Sequence, residues 1–399
     1  MKKQTVFVGL SGGVDSAVSA ALLKKQGYEV VGVFIRTWHP DFLSCNEEEE
    51  RHDAMRVAAY LDIPFLTFNF EEIYKKEVAD YMIREYKEGR TPNPDVMCNK
   101  YVKFGAFLNK VISMGADYVA TGHYARCLFS SNFSSLCPSP EYRSGTLGKL
   151  KIKRNEAYLC KGVDPSKDQS YFLWTLKQEQ LNKILFPIGH LKKTEVRRLA
   201  KKFKLPVAEK KDSQGICFLG AVDLKEFLKH YIKEKKGKVL NEKGEEIGYH
   251  DGIVFHTLGE RHGFVITKKS PNDGAYYVVG KDVKKNILYV FQSKNYSQKS
   301  PDIFLLKNSS RLAPSRSVAS FENDFCLLLN NINWISEIPK EDKKYIAQIR
   351  YHSDFLPCKI RFIDKTKIEI IFEEPVLVAS GQSCVLYDKD ICLGGGVVI

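Results

Sequence analysis

The chain has 399 residues, is 44% hydrophobic and carries a formal net charge of +13. That length exceeds one compact core, suits two or three domains, and leaves each domain enough apolar material to fold around. The basic excess favours a polyanionic partner, and the lack of any long apolar run excludes a membrane span.

Met1-Lys2-Lys3 leads straight into an apolar run and leaves no room for a signal or transit peptide, so a cytoplasmic chain is expected. Val6 to Leu10 predicts a short buried parallel strand. Ser11-Gly12-Gly13 cannot continue it, and the composition from Ala17 to Lys25 is helical, with apolar residues at Val14, Val18, Ala21 and Leu22. Strand, glycine turn and helix in that order expose consecutive N–H groups beside a helix N-terminus, which suits a phosphate. Ser11 and Ser16 add hydroxyl donors, and Asp15 can cap the helix or hold a metal ion beside the phosphates. The motif lacks the Gly-Lys-Ser/Thr of kinase and GTPase loops and the Gly-x-Gly-x-x-Gly of dinucleotide sites. Ser-Gly-Gly-x-Asp-Ser instead resembles the pyrophosphate loop of the N-type ATP pyrophosphatases, which split ATP to AMP and pyrophosphate to activate a carbonyl oxygen.

Further along, strands are expected at Tyr28 to Ile35, Phe65 to Asn69 and Tyr118 to Thr121. Helices are expected at Glu47 to Leu61, Ile73 to Glu88 and Lys103 to Gly115, with Gly89 to Asp95 an extended loop. This alternation predicts an α/β fold, a doubly wound parallel sheet with ligands at the carboxyl ends of its strands. Ser130 to Gly148 reads as an exposed loop and Lys151 to Lys161 as a hairpin arm. Ser166 to Leu185 reads mostly as helix, Lys192 to Phe203 as a basic helix opened by Thr194, and Asp223 to Tyr231 as another helix. From Gly237, glycines punctuate short β-like runs, including Ile253-Val254-Phe255, in a small β-rich central module. Strands at Tyr345 to Tyr351, Cys358 to Ile363, Lys367 to Phe372, Ser383 to Tyr387 and Ile391 to Ile399 suggest a C-terminal β-barrel. The expected domains are 1–225, 226–298 and 299–399, with part of 164–210 packing on the central one.

Ten cysteines are scattered with no Cys-x-x-Cys pair, so no structural zinc site is expected and most thiols should be reduced and inert. Two sit in polar loops. Asn93-Pro94-Asp95-Val96-Met97-Cys98-Asn99 sets a carboxylate three residues before a cysteine near a helix start, with Lys100 and Lys103 close by. A lowered pKa and nucleophilic character are expected for Cys98. Cys217 lies in Asp212-Ser213-Gln214-Gly215-Ile216-Cys217-Phe218. Thr121-Gly122-His123-Tyr124 ends a strand where a ligand would lie. Lys192, Lys193, Arg197, Arg198, Lys201, Lys202 and Lys204, then Lys233, Lys235, Lys236 and Lys238, offer a phosphate-binding surface.

Taken together with Lys167-Asp168-Gln169-Ser170-Tyr171-Phe172-Leu173 and Cys392-Leu393-Gly394-Gly395-Gly396, the motifs occur in an order that resembles the tRNA-specific 2-thiouridylases. The match spans nearly the whole chain. It implies an adenine nucleotide alpha hydrolase-like first domain and an ATP site at Gly9, Leu10, Ser11, Gly12, Gly13, Val14, Asp15 and Ser16, lined by Ile35 and Gly122. It implies Mg2+ with the ATP and no other metal. Asn93, Pro94 and Asp95 would meet the target base, with Asp95 also a candidate general acid/base. Cys98 would be a nucleophile and Cys217 the persulfide carrier, the two able to form a disulfide. Lys167, Asp168, Gln169, Arg350 and Tyr351 would touch the tRNA, and His123 and Gln382 would help position it. The implied partners are the Lys, Glu and Gln wobble-uridine tRNAs and a persulfide donor protein of a sulfur relay. A ligase acting on a small molecule would leave both cysteines without a task. An RNA-binding protein with a vestigial nucleotide site would leave the complete ATP loop unexplained.

Overall fold

The computed structural model describes residues 3–43, 46–129, 156–212, 215, 217–218, 223–268, 274–293, 319–321 and 324–399. The loop expected at Ser130 to Gly148, together with Cys45 and Cys137, lies outside the described residues.

The first sheet is fully parallel. It contains β1 (Thr5–Gly9), β2 (Glu29–Arg36), β3 (Phe65–Asn69), β4 (Tyr118–Ala120) and β7 (Ile184–Leu185), in the order β3-β2-β1-β4-β7. Its faces follow strand alternation. Val6, Val8 and Leu10 pack with helices α1 (Val14–Lys25), α2 (Glu47–Tyr60) and α5 (Lys193–Lys202). Phe7, Val33 and Ile35 pack on the other side with the helical stretches α3 (71–87) and α4 (94–113). The chain leaves β1 for β2 and β3 on one side and returns to β4 on the other. The turns after β1 and β4 therefore part at the carboxyl edge and open a crevice there.

Helix α4 starts nine residues before the expected Lys103. The Asn93 side chain accepts the Val96 N–H at 3.3 Å and Pro94 occupies the first turn, where a missing N–H costs nothing. The second proline thus opens the helix. Ser166 to Leu185 is not a helix: it holds a 3-10 turn at Ser170–Leu173, one turn at Gln178–Leu181 and then β7. Tyr171 and Trp174 are buried there and both donate to Ser383, through its carbonyl and its hydroxyl, so burial on several sides overrides helical spacing. Helix α5 begins at Lys193, where the Glu195 carboxylate accepts the Lys192 N–H, and not at Thr194. Helix α6 (Leu224–Lys229) is capped by Asp223.

The central module is a five-stranded sheet of β8 (Gly237–Leu240), β9 (Glu246–His250), β10 (Phe264–Ile266), β11 (Ala275–Asp282) and β12 (Ile287–Ser293). Ile253–Phe255 forms a 3-10 turn, not the expected strand.

The last sheet contains β13 (Ala319–Phe321), β14 (Asp324–Trp334), β15 (Tyr345–Gln348), β16 (Leu356–Phe362), β17 (Ile368–Phe372), β18 (Ser383–Asp388) and β19 (Ile391–Val398). Pairing of β14 with both β17 and β19 closes the six strands β14 to β19 into a barrel. The long β14 had no counterpart among the expected strands. A hairpin of β5 (Ala125–Phe129) and β6 (Ala157–Lys161) extends from the first unit and joins β19 at its edge; of the arm expected at Lys151 to Lys161, residues 151–155 lie outside the described residues. The Tyr171 and Trp174 bonds to Ser383, with Asn333 donating to the Trp174 carbonyl at 2.7 Å, lock barrel and first unit together. Among the described residues no helix is long and apolar enough to cross a membrane.

Candidate active site

A cleft of about 990 Å3 opens at the carboxyl edge of the parallel sheet. The loop after β1 forms its floor. The Ser11 N–H donates to the Ser16 hydroxyl at 3.2 Å, and that hydroxyl donates to the Gly13 carbonyl at 3.1 Å. Gly12 has φ +70°, and a Cβ there would lie 2.4 Å from the Glu50 carbonyl oxygen. The turn after β4 closes down on the start of α1: a Cβ on Gly122 would meet the Ser16 nitrogen at 2.7 Å. Both glycines are required by close backbone approach. Gly9, Leu10, Ser11, Gly13, Val14, Asp15, Ser16, Ile35 and Gly122 all line the cleft, so the expected nucleotide residues other than Gly12 face one space.

Asp15 is held by three contacts. Lys193 reaches both carboxylate oxygens at 2.8 Å and the Tyr124 hydroxyl donates at 2.7 Å. Lys193 also pairs with Asp212 at 2.9 Å, as do Lys167 at 3.1 Å and Arg197. Burial alone would raise the Asp212 carboxyl, but hydrogen bonds from Lys193 and Lys167, the Lys193 charge and Arg197 hold it down at about 2. The basic run of α5 was expected to face tRNA phosphates. Lys193 and Arg197 instead turn inward onto Asp15 and Asp212, because positions four apart share one face.

At the opposite wall the two cysteines meet, Cys217 lining the cleft and Cys98 buried behind it in α4. The Cys98 thiol points at the Cys217 sulfur, 3.6 Å away. Asp95 accepts the Cys217 N–H at 2.9 Å, the Tyr74 hydroxyl donates to the Cys217 carbonyl at 2.7 Å, and His39 Nε2 lies 2.7 Å from the Phe218 carbonyl. These contacts hold Phe218 at φ +67°, a backbone region that side chains rarely adopt. The expected lowering of the Cys98 pKa is overturned. Cys98 sits more than one turn inside α4, fully buried, and burial together with the Cys217 sulfur pushes its thiol well up. Cys217 is shifted the other way: the hydrogen bond from Cys98 and the Lys103 charge outweigh its burial and lower its thiol. Burial raises the Asp95 carboxyl, against the Cys217 N–H and Lys103.

The remaining expected site residues divide. Asn93, Pro94 and Asp95 form the cap of α4 beside the cleft. Gln382 donates to the Thr91 carbonyl at 2.8 Å and so braces that loop from the barrel. His123 is buried, 2.7 Å from the Thr121 hydroxyl oxygen, and burial holds its imidazole well below the usual histidine range. The Asp168 carboxylate accepts the Gly162 and Ser170 N–H groups and the Ser170 hydroxyl. Gln169 accepts the Tyr124 N–H at 3.0 Å. Tyr351 reaches the cleft mouth from the barrel and packs on Phe172, ring centres 4.4 Å apart, and Arg350 donates to the Leu258 carbonyl at 3.3 Å. Tyr74 and His39 were not singled out in the sequence, Lys193 was named only within the basic run, and Tyr124 only within Thr121-Gly122-His123-Tyr124. Lys193 at the N-terminus of a basic, amphipathic helix carried a usable signal; Tyr74 and His39 carried none, since their partners are more than a hundred residues away.

A parallel sheet with a glycine loop after its first strand and a cleft at its switch point defines a nucleotide-binding domain of the pyrophosphate-loop type. Residues 4–221 match a family model described as a tRNA methyl transferase HUP domain. Residues 225–292 match a tRNA methyl transferase PRC-barrel domain, and residues 324–398 match an aminomethyltransferase beta-barrel domain. The tRNA-specific 2-thiouridylase MnmA of Geobacillus thermodenitrificans is 41% identical over 98% of this chain and 94% of its own length. The protein of the same name from Neisseria meningitidis serogroup A is 42% identical over 98% of this chain and 95% of its own length. The chain belongs to the tRNA-specific 2-thiouridylase family.

Proposed function

We propose that this protein replaces the C2 oxygen of the wobble uridine, position 34, of tRNA with sulfur, using ATP to activate that oxygen. The observation that carries the reading is the Cys98–Cys217 pair, 3.6 Å apart, with Cys217 on the wall of the cleft whose floor is the phosphate loop and Cys98 buried behind it. The family models are described by methyl transfer and the relatives' names by thiolation; two facing cysteines beside an ATP loop favour the latter.

Oxygen at C2 of uracil leaves poorly. Transfer of AMP onto it, with loss of pyrophosphate, makes it a leaving group. The N–H groups of the loop and the start of α1 would hold the phosphates. Asp15 and the Ser16 hydroxyl offer the hard oxygen donors that Mg2+ takes beside phosphates, so they fit that ion. Mg2+ would supply charge neutralisation there.

A persulfide on Cys217 then attacks C2 through its outer sulfur, and AMP departs with the oxygen. Cys98, as thiolate, attacks the inner sulfur. The S–S bond breaks, its electron pair stays with the sulfur on C2, and a Cys98–Cys217 disulfide remains for a dithiol reductant to open. Alternatively Cys98 attacks first and frees hydrosulfide, which attacks C2. Asp95 is the nearby acid/base candidate. Asn93 and Pro94 are assigned to the target base, and Lys167, Asp168, Gln169, Arg350, Tyr351, His123 and Gln382 to binding or positioning tRNA. The substrates are the Lys, Glu and Gln wobble-uridine tRNAs, the sulfur comes from a persulfide relay protein, and the reaction is cytoplasmic.

The test is whether AMP and pyrophosphate form from ATP only when tRNA is added. Release from ATP alone, or none with tRNA, refutes the reading.

A further inference from the structure

Thr91 is buried where the three units of the fold meet, and each of its polar groups is held from outside its own unit. Its N–H donates to the Ser380 carbonyl at 2.8 Å, and its carbonyl accepts from the Gln382 amide at 2.8 Å, both partners belonging to the barrel. Its hydroxyl meets the Thr257 hydroxyl of the central module. Gly381, at φ +92°, permits the approach: a Cβ there would lie 3.0 Å from the Thr91 carbonyl oxygen. Thr257 is itself held. The Glu260 carboxylate accepts its N–H at 2.8 Å, and Arg350 of the barrel donates to the carbonyl of the next residue, Leu258, at 3.3 Å.

Thr91 is followed by Pro92-Asn93-Pro94, where α4 begins. Each proline fixes its own φ and restricts the residue before it, so this run has little freedom to absorb a displacement. The position of Thr91 is therefore passed on to the first turns of α4. Those turns carry Asp95, which accepts the Cys217 N–H at 2.9 Å, and Cys98, whose sulfur lies 3.6 Å from that of Cys217. On the other side, Arg90 pairs with Glu85 of α3 at 2.6 Å and fixes the entry to the loop.

We propose that Thr91 is a positioning residue through which the barrel and the central module set the start of α4, and with it Asp95 and Cys98, against Cys217. The assignment rests on the sulfur-transfer reading above. It gives the two outer units a part in the chemistry beyond holding tRNA. Gln382 acts on this loop directly, and Arg350 acts on it through the Leu258 carbonyl, one residue from Thr257.

The experiment measures thiolation and tRNA affinity for Thr91→Val, Thr91→Ser, Thr257→Val and the double variant of the two valines. Thr91→Val keeps the shape and both main-chain bonds but leaves the Thr257 hydroxyl without this partner. The kcat for thiolation at saturating tRNA should fall roughly tenfold while the tRNA Kd stays within about twofold. Thr91→Ser, which keeps the hydroxyl, should restore the rate. Thr257→Val should show the same loss, and the double variant should lose no more than either single one, because both remove one contact. A second readout uses neither tRNA nor ATP: diamide takes up two hydrogens as the Cys98 and Cys217 thiols join in an S–S bond. Thr91→Val should slow that closure roughly tenfold, since it depends on the facing geometry of the two sulfurs. A wild-type rate in folded Thr91→Val, a loss confined to tRNA affinity, or additive losses in the pair overturns the proposal. A role in stability alone would lower the urea midpoint and leave kcat and closure unchanged, which also overturns it. If Thr91→Val does not fold, Thr257→Val carries the test, and an unchanged kcat there is fatal to it. A wild-type chain that thiolates no tRNA would refute the function, and diamide closure then decides the positioning by itself.

Discussion

Replacing Gly12 with alanine perturbs the phosphate loop at a single atom. At φ +70° an alanine takes a left-handed conformation, costing about 1–2 kcal/mol. The new Cβ would lie 2.4 Å from the Glu50 carbonyl oxygen and 3.1 Å from the Asp53 Cβ. Glu50 belongs to the first turns of α2, so its backbone cannot yield like a flexible side chain. Relief requires moving the loop or α2, and overpacking of that kind costs about 1–3 kcal/mol. The sum is roughly 2–5 kcal/mol. Gly13 is the internal control: at φ −95° its added Cβ would touch only the Ser11 hydroxyl oxygen, at 3.4 Å. Gly13→Ala should cost about 1 kcal/mol or less. Urea unfolding of both variants, with tRNA-dependent pyrophosphate release measured where both are folded, checks the difference. Gly12→Ala should lose most of the release and Gly13→Ala little of it. Equal stability and equal release in the two variants would refute the geometry of the loop.

Three further outcomes are expected. Cys217→Ser should keep tRNA-dependent pyrophosphate release but lose thiolation from a persulfide donor, with partial rescue by high free sulfide; thiolation at the wild-type rate would remove its carrier role. tRNA binding should weaken steeply with salt, and Lys201→Glu with Lys202→Glu should weaken all substrate tRNAs alike, since phosphate contacts do not read sequence; a flat plot of log affinity against log salt contradicts this. Burial, helped by His250, Lys225 and Lys281, holds the His256 imidazole down at about 3, and neither of its ring nitrogens has a hydrogen-bond partner among the described residues. Its unfolded value is about 6.5, so the unfolded chain binds a proton that the native state refuses between those pH values. The stabilisation is complete above that window and falls by about 2 kcal/mol at pH 5. His256→Leu should flatten the decline of the urea midpoint between pH 7.5 and 5, and an unchanged slope would assign it to other groups.

Strand β1, its glycine turn and α1 were legible in the sequence because all three signals are local: an apolar β-branched run, two adjacent glycines and helical spacing within twenty residues. The alternation that builds the parallel sheet and the spaced strands of the barrel were legible for the same reason. Where neighbours distant in sequence decided the outcome, local spacing misled. Tyr171 and Trp174 looked helical but are fixed by Ser383 of the barrel. Lys193 and Arg197 looked like a solvated basic face until Asp15 and Asp212 were placed beside them. Both cysteines were identified from their loops, but the lowered pKa expected for Cys98 is contradicted by its burial, which pushes the thiol up. A thiol's ionisation depends on its burial and on charges across space. Only the tertiary structure buries Cys98, lines the cleft with Cys217 and sets the two sulfurs 3.6 Å apart. The sequence by itself determined which residue types are present and where the phosphate loop lies; the fold decided which of the two cysteines is buried and which lines the cleft.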